Sequence, residues 1–148
     1  MKNLKIAALA LFATATTAVT AQDLKTEEVP AKVRTSFTTA HTNVQDIEWE
    51  KKGDHFKVEF ESNKMDHDIW YDAEGNVVKS KMEITESELP AAVVSAVKKA
   101  YADYKIDSVE VLEMNGAKTY EVEIEKGWLK ERKLIIDASG KVISDMED

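Results

Sequence analysis

Asp72-Ala73-Glu74-Gly75-Asn76-Val77-Val78 returns near the far end of the chain as Asp137-Ala138-Ser139-Gly140-Lys141-Val142-Ile143. In both stretches the aspartate can accept hydrogen bonds from amides just ahead of it. The glycine supplies the positive φ with which the chain enters the next strand, so each stretch reads as a tight β-hairpin. The recurrence predicts one unit written twice, over residues 28–80 and 88–144.

Upstream of the first turn, Val29, Val33, Phe37, Ala40 and Val44 fall at helical spacing and predict a helix from about Glu28 to Asn43. Pro30 sits in its first turn, where a missing N–H costs nothing, and Glu27 and Glu28 suit the positive end of the dipole. The second unit repeats the pattern as Leu89-Pro90-Ala91-Ala92-Val93, then Val97, Ala100, Tyr101 and Tyr104. After each helix the apolar period drops to two, the mark of strands with one buried face. The first unit gives Ile47/Trp49, Phe56/Val58/Phe60, Ile69/Tyr71 and Val77; the second gives Val109/Val111, Tyr120/Val122/Ile124, Leu134/Ile136 and Val142. Lys52-Gly53-Asp54 and Asn115-Gly116 mark the first hairpin of each unit.

These elements predict an α+β fold: a tandem duplication of a helix followed by antiparallel strands. It forms a two-layer sandwich with about eight strands in one sheet and both helices on one face. The other face of the sheet is then open to water, as its alternating charges require. The expected core is Phe37, Trp49, Phe56, Val58, Phe60, Val93, Val97, Tyr120, Val122, Ile124, Leu134 and Ile136.

The order Leu89-Pro90, helix, Val109-Glu110-Val111, Tyr120-Glu121-Val122-Glu123-Ile124 and Asp137-Ala138-Ser139-Gly140-Lys141-Val142-Ile143 resembles the PepSY-like family of exported bacterial proteins, whose fold is likened to the β-lactamase inhibitor. The resemblance implies a small periplasmic protein with a tandem helix-plus-sheet fold, no enzymatic role and no catalytic residues to carry over. The chain departs from the inhibitor in having no cysteine and few spare aromatic residues.

At the amino terminus, Lys2 and Lys5 precede an apolar run from Ile6 to Phe12, and Val19-Thr20-Ala21 offers small or compact residues where a signal peptidase cuts. Residues 1–21 are therefore expected to be an export signal, and residues 22–148 a single domain of 127 residues, long enough for a real core. The run is too short and too rich in threonine to cross a bilayer, and no membrane insertion is expected once the signal is removed. Without the two signal lysines, 18 basic residues face 28 acidic ones, a net charge of −10 that repels nucleic acid and anionic lipid. The absence of cysteine leaves stability to the core and removes thiol chemistry, and no lipoprotein anchor follows the cleavage site.

Catalytic and metal-binding patterns are few. Ser95-Ala96-Val97-Lys98 matches S-x-x-K but lacks the companion S-D-N and K-T-G elements. Met65-Asp66-His67-Asp68 crowds carboxylates and an imidazole, with His55 close by on the neighbouring strand. A strand, however, points His67 away from Asp66 and Asp68, so the three cannot converge on one ion. His41 reads as a helix C-terminal residue interacting with the dipole. No cofactor and no enzymatic activity are expected.

Strand parity supplies the functional expectation. If Ile69/Tyr71 and Leu134/Ile136 face the helices, Trp70 and Ile135 face the open side, near each other. Around them stand Lys57, Glu59 and Glu61 from one strand and Glu121, Glu123 and Glu125 from its repeat. Large apolar groups inside a charged rim are what a binding surface needs. The expected function is an exported, inhibitor-like module that engages a protein or peptide partner through this face. The alternative is a periplasmic protein that uses the acidic face for a small ligand or cation.

Overall fold

The computed structural model describes residues 22–128 and 130–147, so the expected signal at 1–21 lies outside the described residues. Nine strands form one antiparallel sheet in chain order: β1 Gln22–Leu24, β2 Gln45–Lys52, β3 His55–Ser62, β4 Met65–Tyr71, β5 Val77–Glu83, β6 Lys105–Met114, β7 Ala117–Glu125, β8 Glu131–Asp137 and β9 Val142–Glu147. Helix α1, Ala31–Ala40, lies between β1 and β2; helix α2, Ala91–Ala100, lies between β5 and β6. The expected count of about eight strands is corrected to nine. The extra strand is β1, whose three residues are too short to show an alternating pattern; it pairs with Trp49–Lys51 at the edge of the sheet.

Both helices are shorter than their apolar spacing suggests. A 3-10 turn, Thr26–Glu28 or Glu86–Glu88, precedes each, and Pro30 or Pro90 stands at the N-cap in extended conformation instead of inside the first turn. Ahead of α2, the Thr85 backbone and hydroxyl both donate to the Glu88 carboxylate, at 2.8 and 2.7 Å; ahead of α1, the Lys25 amide donates to Glu28 at 2.7 Å. These reciprocal caps hold Val29 and Leu89 in the core just before each helix begins.

All twelve expected core residues are buried, Phe37, Val93 and Val97 on the helices and the other nine on the helix-facing side of the sheet. They divide into two clusters, one under each helix. The first is aromatic: Phe37 meets Trp49 and Phe60 edge-on, with ring centroids 5.4 and 5.1 Å apart. The second uses Val97, Val109 and Ile124 in the corresponding places. Ile47, expected beside Trp49, is instead exposed, because the register shifts between Gln45 and Glu48 at a residue of positive φ, Asp46.

His41 also departs from expectation. Its amide closes the last turn of α1 on the Phe37 carbonyl, while its ring stacks on Phe37 and approaches Phe60, whose other neighbour is His67, stacked at 4.9 Å. Burial, and then the nearby His67, hold the His41 imidazole below its ordinary pKa. A dipole contact would have raised it.

The quoted turns dock on the helices. Asp72 Oδ1 accepts from the amides of Glu74 and Asn76, and Asp137 Oδ1 from those of Ser139 and Lys141. Hydrogen bonds from the side chain of Asn76 and of Ser139, respectively, are the chief reason both carboxyls are held below the usual range. Gly75 (φ +86°) lies on α1, where a Cβ would come 2.9 Å from the Lys32 carbonyl oxygen. Gly140 (φ +88°) lies on α2, where it would come 2.5 Å from that of Ala92.

Two measurements test this packing. Gly53→Ala, at φ +60° with open space around it, should cost about 1–2 kcal/mol for backbone strain. Gly140→Ala should cost roughly 1–3 kcal/mol more in chemical denaturation, because the turn must lift from α2; equal losses would show that the close approach carries no energy. The second test is pH. A histidine whose folded pKa is depressed takes up fewer protons folded than unfolded, so stability should fall as pH drops below 6.5 and through the lowered value. His41→Gln should flatten that part of the profile, and an unchanged profile would place the dependence elsewhere.

Candidate functional site on the open face of the sheet

The face turned away from the helices is built by the residues that alternate with the core. Their cross-strand partners place them in rows. One row runs Glu50, Lys57, Trp70, Lys79, Met114 across β2 to β6. The next runs Glu59, Asp68, Lys81, Leu112, Thr119 across β3 to β7. Further along the strands, Glu83, Glu110, Glu121, Ile135 and Ser144 cross β5 to β9.

Trp70 is half-buried on this face, with the Lys79 ammonium 4.2 Å and the Lys57 ammonium 5.1 Å from its ring centre. Two cations over one indole are attracted by the negative face of its quadrupole. Lys57 is bound in turn to the carboxylates of Glu59 and of Asp68, the latter at 3.1 Å. Burial works against the Lys57 charge, but its hydrogen bonds to Glu59 and Asp68 outweigh that and raise its pKa.

Ile135 is half-buried on the same face but not near Trp70. Strands β5, β6 and β7 intervene between β4 and β8, which at 4.7–4.9 Å per strand is about 19 Å. Parity assigns a face, not a distance, and the expected cluster separates into two. Lys57, Glu59 and Trp70 form one group; Glu121 and Glu123, beside Ile135 and Lys133, form the other. Glu61 hydrogen-bonds Gln45 at the β2 end of the sheet, and Glu125 pairs with Lys105 and Glu131 at the end of β7.

Two lysines missed by sequence reasoning, Lys81 and Lys133, order the acidic side chains, and a third, Lys79, stands over the Trp70 ring. Lys81 reaches Glu110 at 2.5 Å and Glu121 at 3.8 Å; Lys133 bridges Glu121 and Glu123 at 2.9 and 3.0 Å. The hydrogen bonds to Glu121 and Glu123 push the Lys133 pKa well up, and Lys133 together with Ser108 holds Glu123 down. Lys79 makes no ion pair among the described residues. A shallow cavity of about 220 Å³ lies between β4 and β7, lined by Asp66, Glu83, Ser108, Glu110 and Glu123.

Asp68 is turned to Lys57 while His67 faces Phe60 across the sheet, and His55 starts β3 at the opposite end from His67's partner, Phe60. Among the described residues no three His, Cys, Asp or Glu side chains are grouped to hold a metal ion. Ser95 and Lys98 are both exposed on α2.

The third tryptophan was also missed. Trp128 is 98 % exposed at the tip of the β7–β8 hairpin, next to Gly127 at φ +67°. In the first half the matching connection is only Asn63-Lys64, both at positive φ. The sequence signal was the longer loop of the second unit, with a tryptophan beside a turn glycine.

The family model described as "Putative beta-lactamase-inhibitor-like, PepSY-like" matches residues 15–79 and again 54–144. Solved structures share the fold. One is a DUF2874 family protein from Bacteroides uniformis, 18 % identical, TM-score 0.67, covering 80 % of this chain and 88 % of that one. A second, from Bacteroides eggerthii and described as "putative periplasmic proteins", is 17 % identical with TM-score 0.69 and covers 80 % and 88 %. A third, a BLIP-like protein from Bacteroides fragilis, is 23 % identical with TM-score 0.62 and covers 80 % and 86 %. No curated protein matches the chain in sequence. Among the described residues no helix is long and apolar enough to cross a membrane.

Proposed function

The chain belongs to the PepSY-like, beta-lactamase-inhibitor-like family, and from that premise we propose that it is an exported, non-catalytic binding module that holds a protein or peptide partner against the open face of its sheet. The observation that carries this reading is Trp70, half-buried between Lys57 and Lys79 on the face that neither helix covers. A tryptophan framed by charge gives a partner an apolar anchor with a polar rim. Lys57, Glu59, Glu121, Glu123 and Ile135 extend the contact along the rows, with Ile135 as a second apolar point. Export rests on the signal pattern of residues 1–21 and agrees with the periplasmic description of a structural relative.

Internal duplication is part of the proposal. The β8–β9 register is that of β4–β5 moved by 65 residues, bulge included: Trp70 opposite Lys79 becomes Ile135 opposite Ser144, and Tyr71 opposite Val77 becomes Ile136 opposite Val142. The β1–β2 register likewise is that of β5–β6 moved by 60: Met82 opposite Val111 becomes Gln22 opposite Lys51. The small-ligand or cation alternative has the acidic cavity in its favour, but Glu110 and Glu123 there are already held by Lys81 and Lys133. A protein partner, able to exchange its own charges into such a network, fits the face better.

The test compares the wild type with Trp70→Ala as bait for periplasmic extract, and as inhibitor of a purified β-lactamase. Removing the indole should leave folding intact, since its two cations and the core beneath remain. It should weaken binding by roughly tenfold to a hundredfold, the worth of a buried aromatic side chain. Equal binding by both forms would remove the open face from consideration.

A further inference from the structure

The two edges of the sheet are protected differently. At one end the described part of β1 is three residues long, and shortness is a recognised defence against strand pairing. At the other end β9 runs for six residues and, among the described residues, pairs only with β8, so its outer side offers amides and carbonyls that no described strand takes up. Its bulge falls at Ile143, leaving Ser144 to Glu147 in regular register. Val142, Ile143 and Met146 on it are exposed.

What covers such a strand can be read inside the chain. Strand β5 leaves β4 in the register with which β9 leaves β8, and the other edge of β5 is filled by β6, antiparallel, from Lys79 opposite Met114 to Glu83 opposite Glu110. The β5–β6 seam is therefore a template for the empty side of β9. The charges on the two strands differ, however. Lys79, Ser80, Lys81 and Met82 of β5 correspond to Ser144, Asp145, Met146 and Glu147 of β9. On the face where β5 offers Lys79 and Lys81, the latter on Glu110 at 2.5 Å, β9 has Ser144 and Met146, and its carboxylates Asp145 and Glu147 stand on the opposite face, in the places of Ser80 and Met82. Asp145 is taken up by Arg132 at 2.8 Å and by the Tyr101 hydroxyl; Glu147, whose side chain is 67 % exposed, lies 3.8 Å from the same guanidinium. A second copy of this acidic chain would set carboxylate against carboxylate along the seam.

We propose that the outer edge of β9 is a strand-addition site that takes an extended, lysine- or arginine-bearing segment of a partner protein, paired antiparallel along Ser144 to Glu147. Main-chain hydrogen bonds supply the attachment, and the side chains facing Asp145 and Glu147 supply the selectivity. This surface is separate from the open face, and the inference does not depend on Trp70.

The probe is a synthetic peptide of residues 105–114, the β6 sequence, carrying V111K and E113K. By the β5–β6 register its new lysines fall opposite Glu147 and Asp145, and its leucine opposite Met146. Calorimetric titration into the full chain at low salt should give binding at least tenfold tighter than for the unaltered β6 peptide, and amide exchange should slow in β9. Ser144→Pro and Glu147→Pro lie an odd number of residues apart, so their amides point to opposite sides of the strand. One of them removes an outward donor and should abolish binding while the pairing with β8 stays protected from exchange; Trp70→Ala should change nothing. No binding, equal binding of both peptides, or binding lost with Trp70 and kept in both proline variants would overturn the proposal.

Discussion

Backbone lying directly on backbone fixes the rest of this molecule. Gly75 on α1 and Gly140 on α2 leave no room for a Cβ, so each turn is clamped to the helix of its own half while its aspartate caps the amides inside it. That clamp sets where β4 and β8 end. Side chains alternate along a strand, and from this end point Tyr71 and Ile136 must enter the core and Trp70 and Ile135 must leave it.

The residue just past each clamp then decides the chemistry of the open face. Tyr71 pairs with Val77 and Trp70 with Lys79, so Val78 is an extra residue in the ladder. Without that bulge Trp70 would meet Val78, and Lys79 and Lys81 would swing onto the core side, since a slip of one residue exchanges the faces of a strand. The bulge is what delivers Lys79 to the indole and Lys81 to Glu110 and Glu121. A sheet face with a large excess of carboxylates thereby becomes an ordered network in which lysines from β3, β5 and β8 sit between acids of neighbouring strands. Such partly exposed pairs contribute little to stability one by one; their effect is to fix which charges the open face presents.

This explains which features were legible in the sequence. The turns, the period-two strands and all twelve core residues depend on local pattern, and local pattern is written in consecutive residues. The face occupied by Trp70 was legible for the same reason. The separation of Ile135 from Trp70 was not, because it depends on strand order, which parity does not carry. The lysines of β5 were hidden by the bulge, since uninterrupted alternation from Val77 would put Lys79 and Lys81 on the helix side. His41 was misread because its ring leaves the helix axis for Phe37 and Phe60, a tertiary contact that spacing along one helix does not encode. β1 was too short for any periodicity at all.

The two halves are alike in strand register, a common backbone skeleton, and differ in the side chains it carries. The capping turns and the glycine contacts with the helices also recur, whereas the core is rich in aromatic side chains in one half and mostly aliphatic around Tyr120 in the other, and both pack without exposing their interior. The skeleton therefore tolerates wide change in side chains, and stability alone does not require a tryptophan at position 70 or another at the tip of β7–β8. Trp70 corresponds to Ile135, and the fully exposed Trp128 stands in a loop whose counterpart is a two-residue turn. Both tryptophans thus lie outside what the shared skeleton needs for folding. One is steadied by cations on the open face and the other stands in solvent, so the two halves differ most where a large amphipathic ring meets water.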